Sequence, residues 1–401
     1  MKIVFISNWY SEGMGYAENM FPKALALLGQ EVHLVTSTAQ IYYYSPTYEK
    51  TYQSFLGPKF VEPGVKRIDG YTLHRLPYYK TKRLYEGPGL TGLYDCLKAL
   101  QPDVIQVFEI KQEATYTAAK YARENDCLLF TESHMHASIA LHANSKAWKE
   151  WLKDRLNSFN KELRYINDTS KRCYPIAEDV AGIAVSRYKV PAEKIKVQSL
   201  GVDTLAFCPA ETAEQHAAGA RIRESFRFTA QDIVCIYTGR FTRDKNPHCL
   251  AEAIDILSKE QLPFKGLFIG NGPEEDIAYL RSMQGCRVGP FVQAKELPAY
   301  YWSADIGVWP REESTSQLDA AATGLPLILS NRIKVTERVD GNGLLYEEGS
   351  PQDLARALRE LLDPAVRKRM SANGVIKVKE KFSWESIATN RLKDYISFKK
   401  Q

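Results

Sequence analysis

Lys2-Ile3-Val4-Phe5-Ile6-Ser7, Ser11-Glu12-Gly13-Met14-Gly15-Tyr16 and Glu31-Val32-His33-Leu34-Val35-Thr36 decide the fold class. The first is a short apolar run that reads as a buried strand. The second is a glycine-marked turn, and the third is another strand. Between turn and second strand runs a helical pattern that stops at Gly29, a residue suited to a helix end. Strand, turn, helix, strand is a βαβ unit, and such units build parallel sheets.

Working outward, the same alternation predicts strands at 103–108, 127–131 and 181–185. A polar, helical stretch at about 210–230 interrupts it. It then restarts with strands at 233–238, 264–269, 305–309 and 326–330, separated by helical pattern. The economical reading is two α/β halves joined near Phe207-Cys208-Pro209. In doubly wound sheets ligands bind at the C-terminal ends of strands, and every motif below sits at such an end.

The length of 401 residues exceeds one ordinary core. A 44% hydrophobic and 25% charged composition is that of a globular protein. The net charge of +5 is a mild excess. It does not call for nucleic acid, and it suits an anionic ligand or an anionic membrane surface. The seven cysteines are odd in number and show no C-x-x-C, which predicts reduced thiols and no zinc site. The apolar part of the N-terminus is too short for a signal peptide, and no run approaches the roughly 20 residues of a membrane span. The expected location is the cytoplasm, with peripheral attachment at an inner membrane face as an option.

Five segments can carry chemistry. In Gly239-Arg240-Phe241-Thr242-Arg243-Asp244-Lys245-Asn246-Pro247, Asn246 caps a helix that Pro247 begins. Arg240 and Lys245 stand on the loop before it, where both reach a diphosphate; two ordinary surface cations are the alternative. The run 309–326 holds Glu312, Glu313, Ser314, Thr315, Ser316, Gln317 and Asp319. Ser314 and Gln317 fit a capping box, and the first turn at 314–316 offers backbone N–H groups to an anion. The acidic neighbours suit sugar hydroxyls. Gly270-Asn271-Gly272-Pro273 is a strand running into a turn, weak evidence alone. Thr131-Glu132-Ser133-His134-Met135-His136 puts histidines at a strand end, as cleft contacts or as structural residues. Their spacing suits a metal, yet no cluster of carboxylates or cysteines and no D-x-D accompanies them, so no metal is expected. The helical stripe at 146–166, with Trp148, Trp151 and a basic flank, fits either a membrane-docking helix or a core-packed one, and the latter is preferred.

In this order the segments resemble the family 4 retaining glycosyltransferases of the GT-B fold. The resemblance runs from 3–36 through Gln101-Pro102-Asp103-Val104-Ile105 and Gly201-Val202-Asp203. It continues with Gly239 to Lys245, Gly270 to Pro273, Asp319 to Pro326, Gly343-Leu344-Leu345 and Phe382-Ser383-Trp384-Glu385. It implies an α/β protein of two Rossmann-like doubly wound domains facing each other across a cleft. The N-terminal, acceptor-side domain would span 1–208, with 384–401 crossing back to it. The nucleotide-sugar-binding domain would span 209–383. By resemblance Arg240 and Lys245 bind the diphosphate, and Phe291 and Val292 border the base. Gly15 lets its loop approach the phosphates, and His134 lies near donor sugar and acceptor. Arg240, Lys245, His134, Glu312 and Glu313 form the catalytic group. Gly15, Gly239, Gly270, Phe291, Val292, Ser314, Thr315, Ser316 and Asp319 hold the donor.

Where the family has two glutamates separated by seven residues, this chain has Asp319 as the second and Arg311 at the first. Glu312 or Glu313 would then touch the sugar. Leu200 replaces the asparagine of the P-N-G-V-D segment. The expected activity is a retaining, metal-independent hexosyl transfer without cofactor. The donor is a nucleotide sugar, with UDP favoured, and the acceptor a glycan or lipid-linked saccharide of bacterial surface polysaccharide synthesis. The alternatives are a non-catalytic binding or scaffold homologue and, below it, a sugar-nucleotide epimerase.

Overall fold

The computed structural model describes residues 1–46, 48–81, 87–135, 159–311 and 314–400. The chain divides into two compact units, one of residues 1–200 with 387–401 and one of residues 201–386.

The first unit is built on β1 (Lys2–Ser7), β2 (Glu31–Ser37), β3 (Gly64–Ile68) and β4 (Tyr71–Leu76), a small ribbon of β5 (Tyr78–Lys80) and β6 (Pro88–Leu90), then β7 (Val104–Val107), β8 (Leu128–Ser133) and β9 (Ser170–Pro175). Its main sheet runs in the order β3-β4-β2-β1-β7-β8-β9. All neighbours are parallel except β3, an antiparallel edge on β4. Leaving that edge aside, the order is that of the dinucleotide-binding fold, which reverses direction between β1 and β7. Ile3, Val4, Phe5 and Ile6 are fully buried, because helices cover both faces of a parallel sheet.

The second unit repeats the plan with β10 (Ile233–Arg240), β11 (Phe264–Asn271), β12 (Cys286–Gly289), β13 (Ile306–Trp309), β14 (Leu327–Ser330) and β15 (Gly343–Tyr346). All its pairs are parallel, in the order β12-β11-β10-β13-β14-β15. The reversal lies between β10 and β13. One continuous core of strand and helix side chains, from Val234 through Leu267 and Val308 to Leu358, fills this unit.

The stretch 181–185, expected as a strand, belongs to the helix Glu178–Ser186. Val180, Ala181 and Ala184 bury at helical spacing, so the apolar run is one face of a helix. The last strand of the first sheet is instead β9, with Lys171 and Arg172 within it. Of the tryptophan-rich stripe, only the helix Phe159–Thr169 lies among the described residues, with Leu163 and Ile166 buried in the core; residues 146–158 lie outside them. All seven cysteines are free. No helix among the described residues is long and apolar enough to cross a membrane.

The C-terminal helix Trp384–Lys399 divides between the units. Its start is tied to the second, where Trp384 N donates to Val202 O at 3.1 Å. From Ile387 onward it packs on the first, where Tyr395 and Phe398 lie against Phe130.

Candidate functional site

In the second unit the chemistry collects where β10 and β11 end. Gly239 and Gly270 are register partners across these strands. Both have φ near +150°, and a Cβ on Gly270 would sit 1.8 Å from Gly239 O. Only glycine permits that approach, which leaves the strand ends bare of side chains. Tyr237 Oη donates to Arg240 O at 2.9 Å and fixes where the strand gives way to the loop.

Arg240 is exposed, with Nη2 4.0 Å from Asp244 Oδ2. Lys245 N donates to Thr242 O, closing a turn that leads into the helix Pro247–Lys259. A hydrogen bond from Thr242, with Arg240 and Lys245 nearby, holds the Asp244 carboxyl below its usual range. Asn246 occupies the cap position with φ +51°, but without a side-chain cap bond; its carbonyl accepts from Cys249 N instead. From the other side, Asp276 Oδ1 binds buried His248 Nε2 at 2.8 Å and Arg243 Nε at 3.4 Å. The cationic loop is therefore pinned to the helix Glu274–Ser282, a connection 28 residues long that no local pattern announces.

Across the reversal point, Trp309 Nε1 donates to Thr238 O at 3.1 Å, and Thr238 Oγ1 meets Tyr301 Oη at 2.8 Å. The Tyr301 hydroxyl also bonds the Ser316 side chain and lies in the field of Asp319. Ser316 is thus joined to the end of β10, with the Asp319 charge close to the same hydroxyl. The helix begins one residue later than expected, at Ser316 with Thr315 as its cap. Ser314 Oγ accepts from Ser316 N, while Gln317 Oε1 accepts from Arg338 Nη1, as does Ser314 O at 3.0 Å. Buried Arg338 thus holds the Ser314 turn.

Asp319 is half-buried. Burial and then the charge of Asp203 push its carboxyl up to about 7, against the pull of Arg338. Near neutrality it is half protonated, able to donate as well as accept. Phe291 and Val292 follow β12 at the same C-terminal edge, Phe291 largely exposed and Val292 partly packed on the core. Arg311 pairs with Glu348 at 3.3 Å. Glu312 and Glu313 lie outside the described residues.

In the first unit the corresponding edge carries Gly15 and His134. Gly15 has φ +69° with open space where a Cβ would stand, so its requirement is conformational. His134 follows β8, with its side chain 23% exposed. Its backbone N donates to Glu109 Oε1 at 3.1 Å, and its Nε2 lies 2.9 Å from Glu132 Oε2. Glu132 is 3% exposed, and its other oxygen accepts from Arg391 Nη1 at 2.8 Å. Burial pushes Glu132 up, but Arg391 and His134 hold it below the usual carboxylate range. Burial pulls His134 down, but Glu132, Glu109 and Glu18 together lift it to about 9.

With Glu132 ionised, Nε2 is the donor in that pair. Below about pH 9 the ring also carries a proton on Nδ1, so its remaining edge is a charged donor. Among the described residues no group of three or more His, Cys, Asp or Glu is arranged to hold a metal.

Residues 232–364 match the family model described as Glycosyl transferases group 1. Spore coat protein SA of Bacillus subtilis (strain 168) is 26% identical over 247 residues, 57% of this chain and 65% of that protein. A D-inositol 3-phosphate glycosyltransferase of Nocardioides sp. is 30% identical over 237 residues, 53% of this chain and 50% of that protein. The match therefore spans between half and about two thirds of these relatives. Among solved structures, a glycosyltransferase from Rickettsia africae superposes with TM-score 0.66 at 14% identity, covering 98% of this chain and 97% of that one. Anabaena Alr3699/HepE in complex with UDP gives 0.64 at 15%, covering 99% and 100%. At such identities these two likenesses establish the fold.

Proposed function

We propose that this chain, which belongs to the group 1 glycosyltransferases of the GT-B fold, moves a hexosyl group from a nucleoside-diphosphate sugar to a saccharide acceptor with retention of configuration and without a metal. The observation that carries the reading is the end of β10. There Gly239 and Gly270 bare the backbone, Arg240 and Lys245 flank it, and Ser316 is bonded to it through Tyr301, with the Asp319 charge close by. Such a place admits a diphosphate at close range and meets it with fixed positive charge. Charge that builds on the leaving phosphate is then stabilised without rearrangement. Front-face displacement, in which the leaving diphosphate takes the acceptor proton, needs no side-chain nucleophile. His134, charged at neutral pH, acts as a donor to sugar or phosphate oxygen.

We assign the ribose hydroxyls to Asp319 with Ser314 and Thr315, the donor sugar to Glu312 or Glu313, and the base to Phe291 and Val292. The UDP complex of the Anabaena protein makes uridine the first base to test. We place the acceptor among glycans or lipid-linked saccharides of a bacterial surface polysaccharide, handled in the cytoplasm at the inner membrane face. The relative named for a spore coat lends specific support to a second reading, a binding or scaffold homologue.

A thermal-shift screen with UDP, GDP, ADP and TDP and their sugar conjugates tests both. A ligand at about 100 times its Kd adds ~2.7 kcal/mol to stability, which a melting curve resolves. A shift with one nucleotide, followed by sugar release from its conjugate, supports the transferase. A shift without turnover supports the binding homologue, and no shift removes both.

A further inference from the structure

Glu132 is buried at the end of β8 and has each carboxylate oxygen taken by a cation: Oε1 by Arg391 Nη1 at 2.8 Å and Oε2 by His134 Nε2 at 2.9 Å. Arg391 comes from the C-terminal helix and is 2% exposed. Its other donors reach Gln106 Oε1 at 2.9 Å and Gln198 Oε1 at 2.8 Å. Its guanidinium lies 3.5 Å from the Tyr174 ring centroid and 4.9 Å from that of Phe21. Tyr395 Oη, one helical turn on, donates to the same Gln106 oxygen at 2.8 Å.

Little of this arrangement can move. The guanidinium is fixed on several sides and fixes one carboxylate oxygen, so the other oxygen sits at a set point in front of the imidazole. Packing alone does not require such a group, since an apolar pair of similar volume would fill the space at no greater cost. What the ion pair adds is orientation of the one partly exposed member, His134.

Resting on the proposed transferase reading, we infer that Glu132, held by Arg391 of the C-terminal helix, is a positioning residue that clamps Nε2 of His134 and turns its Nδ1 edge to the substrate as a donor. The groups facing the ring are Glu132 on its own strand, Glu109 after β7 and Glu18 in the helix Ala17–Leu27, with Phe108 against its edge. Glu109 binds the backbone of His134, whereas Glu132 holds the ring itself at Nε2. Its removal therefore takes away both the clamp and the nearest negative charge.

The test is Glu132→Gln in the full chain, followed by two readouts. The first is the imidazole titration of His134 by NMR with isotope-labelled histidine, assigned among the seven histidines with His134→Gln. The second is the pH profile of sugar-nucleotide turnover. We expect the His134 titration to fall from near pH 9 toward the ordinary histidine range. The high-pH limb of kcat should fall with it, with kcat itself reduced about 10- to 100-fold and KM for the donor changed much less.

Because a lone Arg391 left in the core can unfold the protein, Glu132→Gln/Arg391→Gln is prepared in parallel, and the same two shifts are expected of it. A folded variant of either kind whose His134 titration stays near 9, or whose pH profile and kcat stay as in the parent, overturns the inference. Absence of turnover in the parent protein is a failure of the transferase reading instead. In that case the titration alone decides whether Glu132 governs the ring.

Discussion

The two charged regions of this chain sit at equivalent ends of two similar sheets, and they are built in opposite ways. At the end of β10, Arg240 and Lys245 lie on one loop five residues apart, and Arg240 is open to solvent. After β8, His134, Glu132 and Arg391 form a buried relay whose outer members are 257 residues apart in sequence, and only the histidine reaches the surface. A cation on the open loop is accessible to an anion from solution, while its contribution to folding is small. A buried pair contributes little net stability over an apolar substitute but becomes costly once one member is lost. The first region is therefore expected to control turnover with little effect on stability, and the second to show both effects.

The largest effect that would sharpen this contrast is on stability. Arg391→Met leaves Glu132 buried with only His134 as its cation, and should cost about 3–5 kcal/mol in denaturant unfolding. The Glu132→Gln/Arg391→Gln pair should recover much of that. A cost below about 1 kcal/mol for the single variant would mean that water already reaches the carboxylate, and the contrast with the loop would fail.

Turnover should respond most to the other region. With Lys245 in the proposed diphosphate role, Lys245→Ala should lower kcat by at least ~10²-fold, as loss of a single oxyanion donor does. Its unfolding midpoint should stay close to the parent's, because a partly exposed loop cation contributes little to folding. Near-normal turnover would remove Lys245 from the site, and a large loss of stability would show that the loop is structural after all.

The same contrast explains what was legible in the sequence. The strands β1, β2, β7, β8, β10, β11, β13 and β14 read correctly because a parallel sheet covered on both faces writes itself as an apolar run. β9 did not, because Lys171 and Arg172 at the sheet's edge break that run, and its place was given to the helix at 181–185. Short edge strands such as β12, with Arg287 in it, fail for the same reason. In the site, Gly239, Arg240 and Lys245 form one local motif. Arg391, Arg338, Asp276 and His248 act through contacts made only by the fold, and no spacing within a helix or strand announces them.

Asp319 lies between these two designs, half-buried like a core residue yet set at the open edge like a site residue, and it gives the smallest and most pH-dependent effect. Burial and the charge of Asp203 lift its carboxyl from the usual value near 4 to about 7. Between these values the folded chain holds a proton that the unfolded chain has released. That group's contribution to stability must therefore decline as pH rises from about 4 to about 7, and level off above. Asp319→Asn removes the charge while keeping the shape, so it should flatten that part of the stability profile. Above pH 7 it should raise stability by on the order of 1 kcal/mol, a figure discounted for the exposure of the group. Unfolding curves at pH 5 and pH 8 check this: the variant's gain on the parent should be clearly larger at pH 8 than at pH 5. An equal effect at both would mean that Asp319 is ionised throughout, held by Arg338, and that it meets a ligand as a fixed negative charge rather than as a group that can also donate.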